Sequence, residues 1–317
     1  MSVLFLTEQD VRELLNIEDA MRVVEQAFLH LADGSASNMS RQRIRGERTM
    51  LHILAGADRA ESQLGWKIYT TTRQGARFLV GLYNEETGTL AGLLEADFLG
   101  QLRTAAASGI ATKFLARPDA SRLGIIGTGL QARTQAWAIQ VARDVRQVRV
   151  YGRDQPRRTA FARQLEIDLG LPVLACDSAS DVVANSDILV TATTSQSPVF
   201  SGTDLQPGTH LCAIGSNFIR KSELDLETFR RVQLVCCDSR EQCQREAGDF
   251  QAPLHEGLLD WENIHELAAV VAGKIQRPHP NAITLFKSVG LGLQDVALGT
   301  LALARAHEAG RGQTLPI

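Results

Sequence analysis

A glycine-rich segment near the middle of the chain has the composition and spacing of a phosphate-binding turn. It reads Gly127-Thr128-Gly129-Leu130-Gln131-Ala132, directly after the apolar run 122–126 and directly before a helical pattern. In a turn of this kind the first glycine permits a sharp bend, and the second lets backbone N–H groups approach a pyrophosphate. The N-terminus of the following helix favours negative charge. We therefore predict a nicotinamide-dinucleotide site here, because strand, turn and helix occur in the order that the motif requires.

The end of the next predicted strand, 147–152, carries information on the coenzyme. An acidic residue at this point binds the ribose 2′-hydroxyl of NAD, whereas an arginine favours the 2′-phosphate of NADP. Gly152 stands where the acid is expected, and Arg153 follows it. We predict that NADP(H) is favoured over NAD(H). In the alternative, Arg153 is a solvated turn residue and Asp154 binds the ribose of NAD(H).

The elements around the turn indicate a Rossmann domain, an α/β fold with a parallel sheet and helices on both faces. Helices are predicted at 131–142 and 156–169, and further apolar strands begin near residues 173, 187, 210 and 233. Runs this apolar are typical of strands buried on both faces of a parallel sheet. We assign residues 117–294 to this dinucleotide-binding domain.

The first 116 residues follow a different pattern, which predicts an α+β domain. Thr7 is a helix N-cap, and a second helix, 17–32, ends before Gly34. Short alternating runs at 50–54, 65–72 and 77–84 predict antiparallel strands, and an alanine-rich helix is expected at 98–115. A last helix, 295–309 within the C-terminal segment 295–317, does not fit the parallel sheet. We expect this segment to pack back on the N-terminal domain.

Composition excludes several classes of protein. The 317 residues are 44% hydrophobic and 22% charged, with a net charge of −3 and no basic tract, which argues against a nucleic-acid partner. No apolar run approaches the length of a membrane span or a signal peptide. The five cysteines form no CxxC pair, which favours free thiols in the cytoplasm, and no cluster has metal-ligand spacing.

Several segments together resemble the ornithine cyclodeaminase/mu-crystallin family. They are Gly65-Trp66-Lys67, LRTAA (102–106), KFLARPDA (113–120), GTGLQA (127–132), VTAT (190–193), Ile214-Gly215 with ELD (223–225), and FKSVG (286–290) with Asp295. The segments keep their order over nearly the whole chain. The resemblance implies a homodimer with an N-terminal substrate-binding and dimerisation domain. It also implies action on a small α-amino or α-imino acid with a nicotinamide coenzyme.

The resemblance also implies roles for individual residues. Lys67 and Arg103 match positions that hold the substrate carboxylate, and a carboxylate beside a nicotinamide needs such fixed cations. Arg41 matches a third cation, with Arg43 as the alternative. Val289 and Gly290 complete the expected substrate site. The expected coenzyme-binding residues are Thr104, Gly127, Thr128, Gly129, Leu130, Gln131, Arg153, Thr193, Lys221 and Ser288.

Two positions depart from a cyclodeaminase. Asn217 stands where such an enzyme has an aspartate that pairs with the side-chain amine of ornithine, and an amide carries no charge. His52 stands where a water-activating glutamate is expected. A histidine can transfer protons near neutral pH, although it can equally be a satisfied strand residue.

These departures favour redox chemistry over cyclodeamination. We predict an NAD(P)H-dependent oxidoreductase of the cyclic ketimine reductase or amino-acid dehydrogenase type, with hydride transfer at the α-carbon. The predicted catalytic set is His52, Lys67 and Asn217, with His52 or a water as the proton source. The alternatives are an ornithine cyclodeaminase-type lyase with NAD as a catalytic cofactor, and a non-catalytic NADP-dependent small-molecule binding protein.

Overall fold

The computed structural model describes residues 2–316, which divide into two compact units. Unit 1 comprises the described residues up to Ala106 and from Gly290 onward, and unit 2 comprises Ala107–Val289. Both borders fall several residues before the domain boundaries predicted from the sequence, after residues 116 and 294. The two units are built on different sheets, one mainly antiparallel and one parallel.

Unit 1 contains a seven-stranded sheet. Its strands are β1 (Ser2–Leu6), β2 (Ala36–Arg45), β3 (Met50–Asp58), β4 (Gln63–Thr72), β5 (Gly75–Asn84), β6 (Leu90–Glu95) and β15 (Gln313–Pro316). The strand order is β15-β1-β6-β5-β4-β3-β2, and every pairing except the parallel β1–β6 pair is antiparallel. The predicted strands at 50–54, 65–72 and 77–84 are confirmed. Burial alternates along most of these strands, so that one face of the sheet is buried and the opposite face is half-buried or exposed.

Local signals place the first helices of unit 1. The helices are α1 (Glu8–Leu14) and α2 (Ile17–Asp33), and α3 (Asp97–Leu115) begins in this unit. Thr7 and Asp10 form a capping box at the start of α1, and Gly34 ends α2 in the left-handed conformation at φ 82°. These helix predictions are confirmed.

The last helix, α11 (Gly292–Ala309), lies in unit 1 and packs on its sheet. A Cβ on Gly56 would lie 2.5 Å from the Cα of Leu293, so only glycine allows β3 and α11 to approach this closely. The C-terminal segment is not helical throughout, however. Gly310 ends α11 at φ 62°, and the chain then forms β15, which pairs with β1. The last residues form a strand because they pair with β1, which is distant in the sequence, and no local pattern predicts such a pairing.

Unit 2 contains an eight-stranded parallel sheet with the order β13-β12-β14-β11-β10-β7-β8-β9. Its strands are β7 (Arg122–Ile126), β8 (Gln147–Tyr151), β9 (Val173–Ala175), β10 (Ile188–Thr191), β11 (His210–Ala213), β12 (Val232–Cys237), β13 (Ile264–Glu266) and β14 (Ile283–Lys287). Its helices are α4 (Leu130–Ala142), α5 (Gln155–Leu169), α6 (Ala179–Ala184), α7 (Leu226–Arg231), α8 (Arg240–Glu246), α9 (Gln251–His255) and α10 (Leu267–Val271).

This arrangement confirms the predicted Rossmann fold. The first strand, β7, pairs with β8 on one side and with β10 on the other, so the strand order reverses at β7. In open parallel sheets, ligands bind beyond the carboxyl ends of the strands at such a reversal. The strands β13 and β14 were not predicted; β14 lies between β11 and β12, and β13 forms the edge of the sheet beyond β12.

Candidate active site

Glycine occupies the two positions of the phosphate turn for different structural reasons. Gly127 adopts φ 129°, and a Cβ there would lie 2.4 Å from the carbonyl oxygen of Ala192, so the strand-to-helix bend requires glycine. A Cβ on Gly129 would meet no atom within 4 Å. Gly129 is the N-cap of α4 and supplies no capping side chain. The first N–H groups of α4 are therefore not satisfied by an N-cap side chain, as an anion site requires.

The turn opens into a cavity of about 780 Å³ that lies wholly in unit 2. It is lined by Ile126, Gly127, Thr128, Gly129, Tyr151, Gly152, Arg153, Asp154, Arg157, Ala192, Thr193, Thr194, Ser195, Ser197, Pro198 and Val199. This volume is typical of a small-molecule or cofactor site. The cavity, the uncapped helix start and the open space at Gly129 together fit a dinucleotide. The residues that would hold its pyrophosphate are those of the turn.

Two arginines and one aspartate line the part of this cavity where the sequence predicts the ribose, which we call the ribose end. The side chain of Asp154 accepts a hydrogen bond from the backbone N–H of Arg157 at 2.9 Å and so caps α5. Arg153 and Arg157 both line the cavity. Sequence reasoning had identified Arg153 and had left Asp154 as an alternative ligand. It missed Arg157, which lies in the first turn of α5 and belongs to no motif.

A buried glutamate organises the carboxyl ends of β10 and β11. Glu223 accepts hydrogen bonds from the hydroxyl and backbone N–H of Thr193, the hydroxyl of Thr191 and the backbone N–H of Gly215, at 2.7 to 2.9 Å. Burial raises its pKa, and the nearby Lys287 opposes this rise. These bonds fix Thr193, a predicted coenzyme contact, on the wall of the cavity. Glu223 was part of the resemblance but had no predicted role.

In unit 1, the three predicted carboxylate-binding cations are all buried. Arg41 on β2, Lys67 on β4 and Arg103 on α3 expose 5%, 2% and 8% of their surface. Such residues are rarely buried without a partner. The backbone of Gly290 lies between the two arginines. Arg41 donates to its carbonyl oxygen at 3.3 Å, and a Cβ on Gly290 would lie 2.2 Å from Nη1 of Arg103.

Lys67 is held by a carboxylate and by an aromatic ring. Its Nζ lies 2.7 Å from Oδ1 of Asp295 and 5.1 Å from the centre of the Phe78 ring. Burial lowers the pKa of Lys67 to about 8, against the opposing effect of Asp295; Arg103 and Arg41 lower it further. An ammonium with a pKa near the working pH can both bind an anion and release a proton.

His52 is neutral and locked in one tautomer. Nε of Arg43 donates to Nδ1 of His52 at 3.2 Å, so the ring carries its proton on Nε2, 3.0 Å from the hydroxyl of Thr71. The ring stacks on Tyr69 with centroids 4.1 Å apart. Burial lowers the pKa of His52 to about 4, and Arg43 and Arg41 add to this effect. At neutral pH a ring with this pKa carries no proton beyond the one on Nε2.

The remaining predicted residues lie outside the two clusters described above. Thr104 is next to Arg103 on α3, where its hydroxyl donates to the carbonyl of Gly100. In unit 2, Asn217 and Lys221 lie in the loop after β11, and Leu130 and Gln131 begin α4. The hydroxyl of Ser288 and the backbone N–H of Val289 both donate to Asp238 at 2.9 Å. Ser288 and Val289 therefore have a structural partner, a buried aspartate that sequence reasoning missed.

The cysteines are free thiols, as predicted from the sequence. All five cysteines are buried and unpaired, including Cys236 and Cys237 on β12. Within residues 2–316, no group of three or more histidine, cysteine or acidic side chains could hold a metal ion. None of the helices in this part of the chain combines the length and apolar character needed to cross a bilayer.

Comparison with known proteins shows which family and which enzymes the chain is similar to. The model of the ornithine cyclodeaminase/mu-crystallin family matches residues 1–310. A Δ1-pyrroline-2-carboxylate reductase of Bacillus cereus is 34% identical, with 99% of both chains covered. The structure of the Thermococcus litoralis Δ1-pyrroline-2-carboxylate reductase with NADH and L-proline is also 34% identical. It has a TM-score of 0.95 and covers 99% of this chain and 100% of that one.

The chain is also similar to an enzyme named for a different reaction. An archaeal alanine dehydrogenase dimer with bound NAD is 29% identical, with a TM-score of 0.94 and complete coverage of both chains. The family match spans nearly the whole sequence, and the fold agrees over both units. The resemblance inferred from the motifs is thereby confirmed, and the chain belongs to the ornithine cyclodeaminase/mu-crystallin family.

Proposed function

We propose that the chain is an NAD(P)H-dependent reductase of a small cyclic α-imino acid. The observation that carries this proposal is the buried cationic set of Lys67, Arg103 and Arg41. Lys67 and Arg103 share one carboxylate oxygen of Asp295, so two positive charges meet one negative charge. A substrate carboxylate would bind there through charge-assisted hydrogen bonds.

The reduced nicotinamide, when bound, supplies a hydride to the α-carbon of the imine. The reaction also needs one proton for the imine nitrogen, and the C=N double bond becomes a C–N single bond. Lys67 is the proton donor in our proposal, because it is largely protonated at neutral pH and its pKa of about 8 allows release. His52 is less suited to this role, because its pKa of about 4 leaves it uncharged at neutral pH.

The substrate test compares two reactions on the same preparation. The protein should consume reduced coenzyme with Δ1-pyrroline-2-carboxylate and form proline, and it should release no ammonia from ornithine. An α-keto acid with ammonia tests the related amino-acid dehydrogenase activity. If imines and keto acids are inert while ornithine yields ammonia at constant coenzyme absorbance, the chain is a cyclodeaminase. If the coenzyme binds but no substrate is turned over, the chain is a binding protein.

We also propose that NADP(H) is the preferred coenzyme. Arg153 and Arg157 line the ribose end of the cavity, and Asp154 is engaged as the N-cap of α5. Guanidinium groups match the geometry of a 2′-phosphate. The two solved relatives cited above bind NADH or NAD, so the proposed preference rests on this chain's own residues and needs its own measurement.

Calorimetric titration with NADPH and NADH tests the preference. The wild type should bind NADPH more tightly, and the double variant Arg153→Ala/Arg157→Ala should lose about tenfold or more in NADPH affinity with little change for NADH. Arg163→Ala, an exposed change on α5, is the matched control. Tighter binding of NADH by the wild type would refute the preference.

We propose that the protein is a homodimer formed through the exposed face of the unit 1 sheet. Leu64 and Leu79 on this face expose 40% and 38% of their surface. Leu64, Trp66 and Ile68 follow one another on the same side of β4, and Leu79 on β5 is the cross-strand partner of Ile68. Apolar faces of this kind are typical of interfaces. Leu79→Arg should convert the dimer to a monomer in light-scattering measurements; a wild-type protein that is already monomeric would contradict the proposal.

A further inference from the structure

Asp295 is a fully buried carboxylate in the first turn of α11. Its Oδ1 lies 2.7 Å from Nζ of Lys67 and 3.2 Å from Nε of Arg103. Its Oδ2 is buried and has no hydrogen-bond partner among the described residues. One oxygen therefore makes both bonds to the cationic set, across 228 residues of sequence in one case and 192 in the other.

The contacts of Asp295 fix the direction of both cations. Arg103 donates from Nε to Asp295 and from Nη1 to Oε1 of Gln294, so two consecutive residues of α11 hold the guanidinium plane. Lys67 gives one of its three N–H bonds to Asp295, which leaves the others for an anion. The guanidinium likewise retains N–H groups beyond those two bonds.

The start of α11 is itself rigidly placed. The backbone of Leu293 packs against Gly56 on β3, and its N–H donates to Oδ1 of Asn38 at 3.1 Å. The N-terminus of this 18-residue helix also favours a negative charge at Asp295. Asp295 thus transmits the position of a fixed helix to two side chains on other elements.

We infer that Asp295 is a positioning residue of the reduction, which aligns Lys67 and Arg103 for the substrate carboxylate. This inference rests on the proposed function. The charged groups that face Lys67 are Asp295 on α11, Arg103 on α3 and Arg41 on β2. Of these three charged groups, Asp295 alone stabilises the ammonium form, so its removal should lower the pKa of Lys67 below about 8.

Asp295→Asn tests the inference, because it keeps the shape and the accepting oxygen but removes the charge. The chain has five lysines, so ¹⁵N-lysine NMR can follow the titration of Lys67, assigned by loss of its signal in Lys67→Arg. We expect the pKa of Lys67 to fall by about one unit or more. The alkaline limb of the pH profile of kcat/KM should shift to lower pH by the same amount.

Asp58→Asn is the matched control, since Asp58 is also buried in unit 1 but pairs with His30. It should leave the titration of Lys67 unchanged. An Asp295→Asn variant with the wild-type titration of Lys67 would overturn the inference. So would a pH profile that is only scaled down, as a merely structural role predicts.

Asp295→Glu provides a second test of the inference if the asparagine variant does not fold. It retains the charge but displaces the carboxylate, so the pKa of Lys67 should stay near 8 while kcat/KM falls about tenfold. Wild-type kcat/KM in Asp295→Glu would refute the positioning role. Failure of the wild type to reduce imines would refute the proposed function. The NMR titration requires no turnover, so it would still confirm or refute the effect of Asp295 on Lys67.

Discussion

Gly100 offers a sharp test of how closely Lys67 must be placed. A Cβ at this position of α3 would lie 2.8 Å from Nζ of Lys67, whereas ordinary contacts begin at 3.4 Å. Gly100→Ala should therefore displace the ammonium by about 0.6 Å or rotate it away from Asp295. Alanine is also the better helix former, by about 0.5–1 kcal/mol. The same substitution is thus expected to favour the helix and to harm the site.

The size of the effect follows from this displacement. A misplacement of about 1 Å in a reacting complex can cost about a hundredfold in rate, so about 0.6 Å should lower kcat/KM about tenfold. Steady-state kinetics with Δ1-pyrroline-2-carboxylate would measure the loss. Urea unfolding would show whether stability is retained, which separates damage to the site from damage to the fold.

Gly299→Ala is the matched control for this experiment. Gly299 is also a helical glycine of unit 1, but a Cβ there would meet only aliphatic atoms, the nearest being Cγ1 of Val80 at 3.2 Å. We expect it to keep wild-type kcat/KM. If Gly100→Ala folds and retains kcat/KM within about twofold of the wild type, the exact placement of Lys67 does not limit the reaction.

Three further predictions concern charge. Activity should fall as pH rises through about 8, where Lys67 loses its proton. Lys67→Arg should abolish this alkaline limb of the pH profile and lower kcat about a hundredfold. A pH profile of both proteins would test this. Arg103→Ala should lower kcat/KM about 10²- to 10³-fold, because charge-assisted hydrogen bonds contribute about 1.5–3 kcal/mol each; an unchanged kcat/KM would remove Arg103 from the site. Burial lowers the pKa of His210 to about 3, so folding excludes its proton. Its contribution to stability is complete above pH 6.5, and it should fall by about 1.4 kcal/mol per unit as pH drops toward 3. Urea unfolding of His210→Asn should show a weaker acid dependence than the wild type, with exposed His255→Gln as the control.

The geometry of the phosphate turn was predictable because it is local. The bend at Gly127, the uncapped start of α4 and the following strand lie within one contiguous segment, so residue type and spacing determine them. The Thr7 cap and the glycine at the end of α2 were predictable for the same reason. The three cations of unit 1 were identified by resemblance, since no local pattern distinguishes a buried Lys67 from an exposed lysine.

The sequence alone determined the fold class, the phosphate turn and the chemical type of the residues that could bind an acid. The charge state and the contacts of those residues depend on how the chain packs. The tertiary structure joined Asp295 to Lys67 and Arg103, placed Gly100 against the ammonium, and surrounded His52 with Arg43, Thr71 and Tyr69. The physical reason is that a pKa depends on burial and on neighbouring charges, and these are set by strand register and helix packing between residues far apart in the chain.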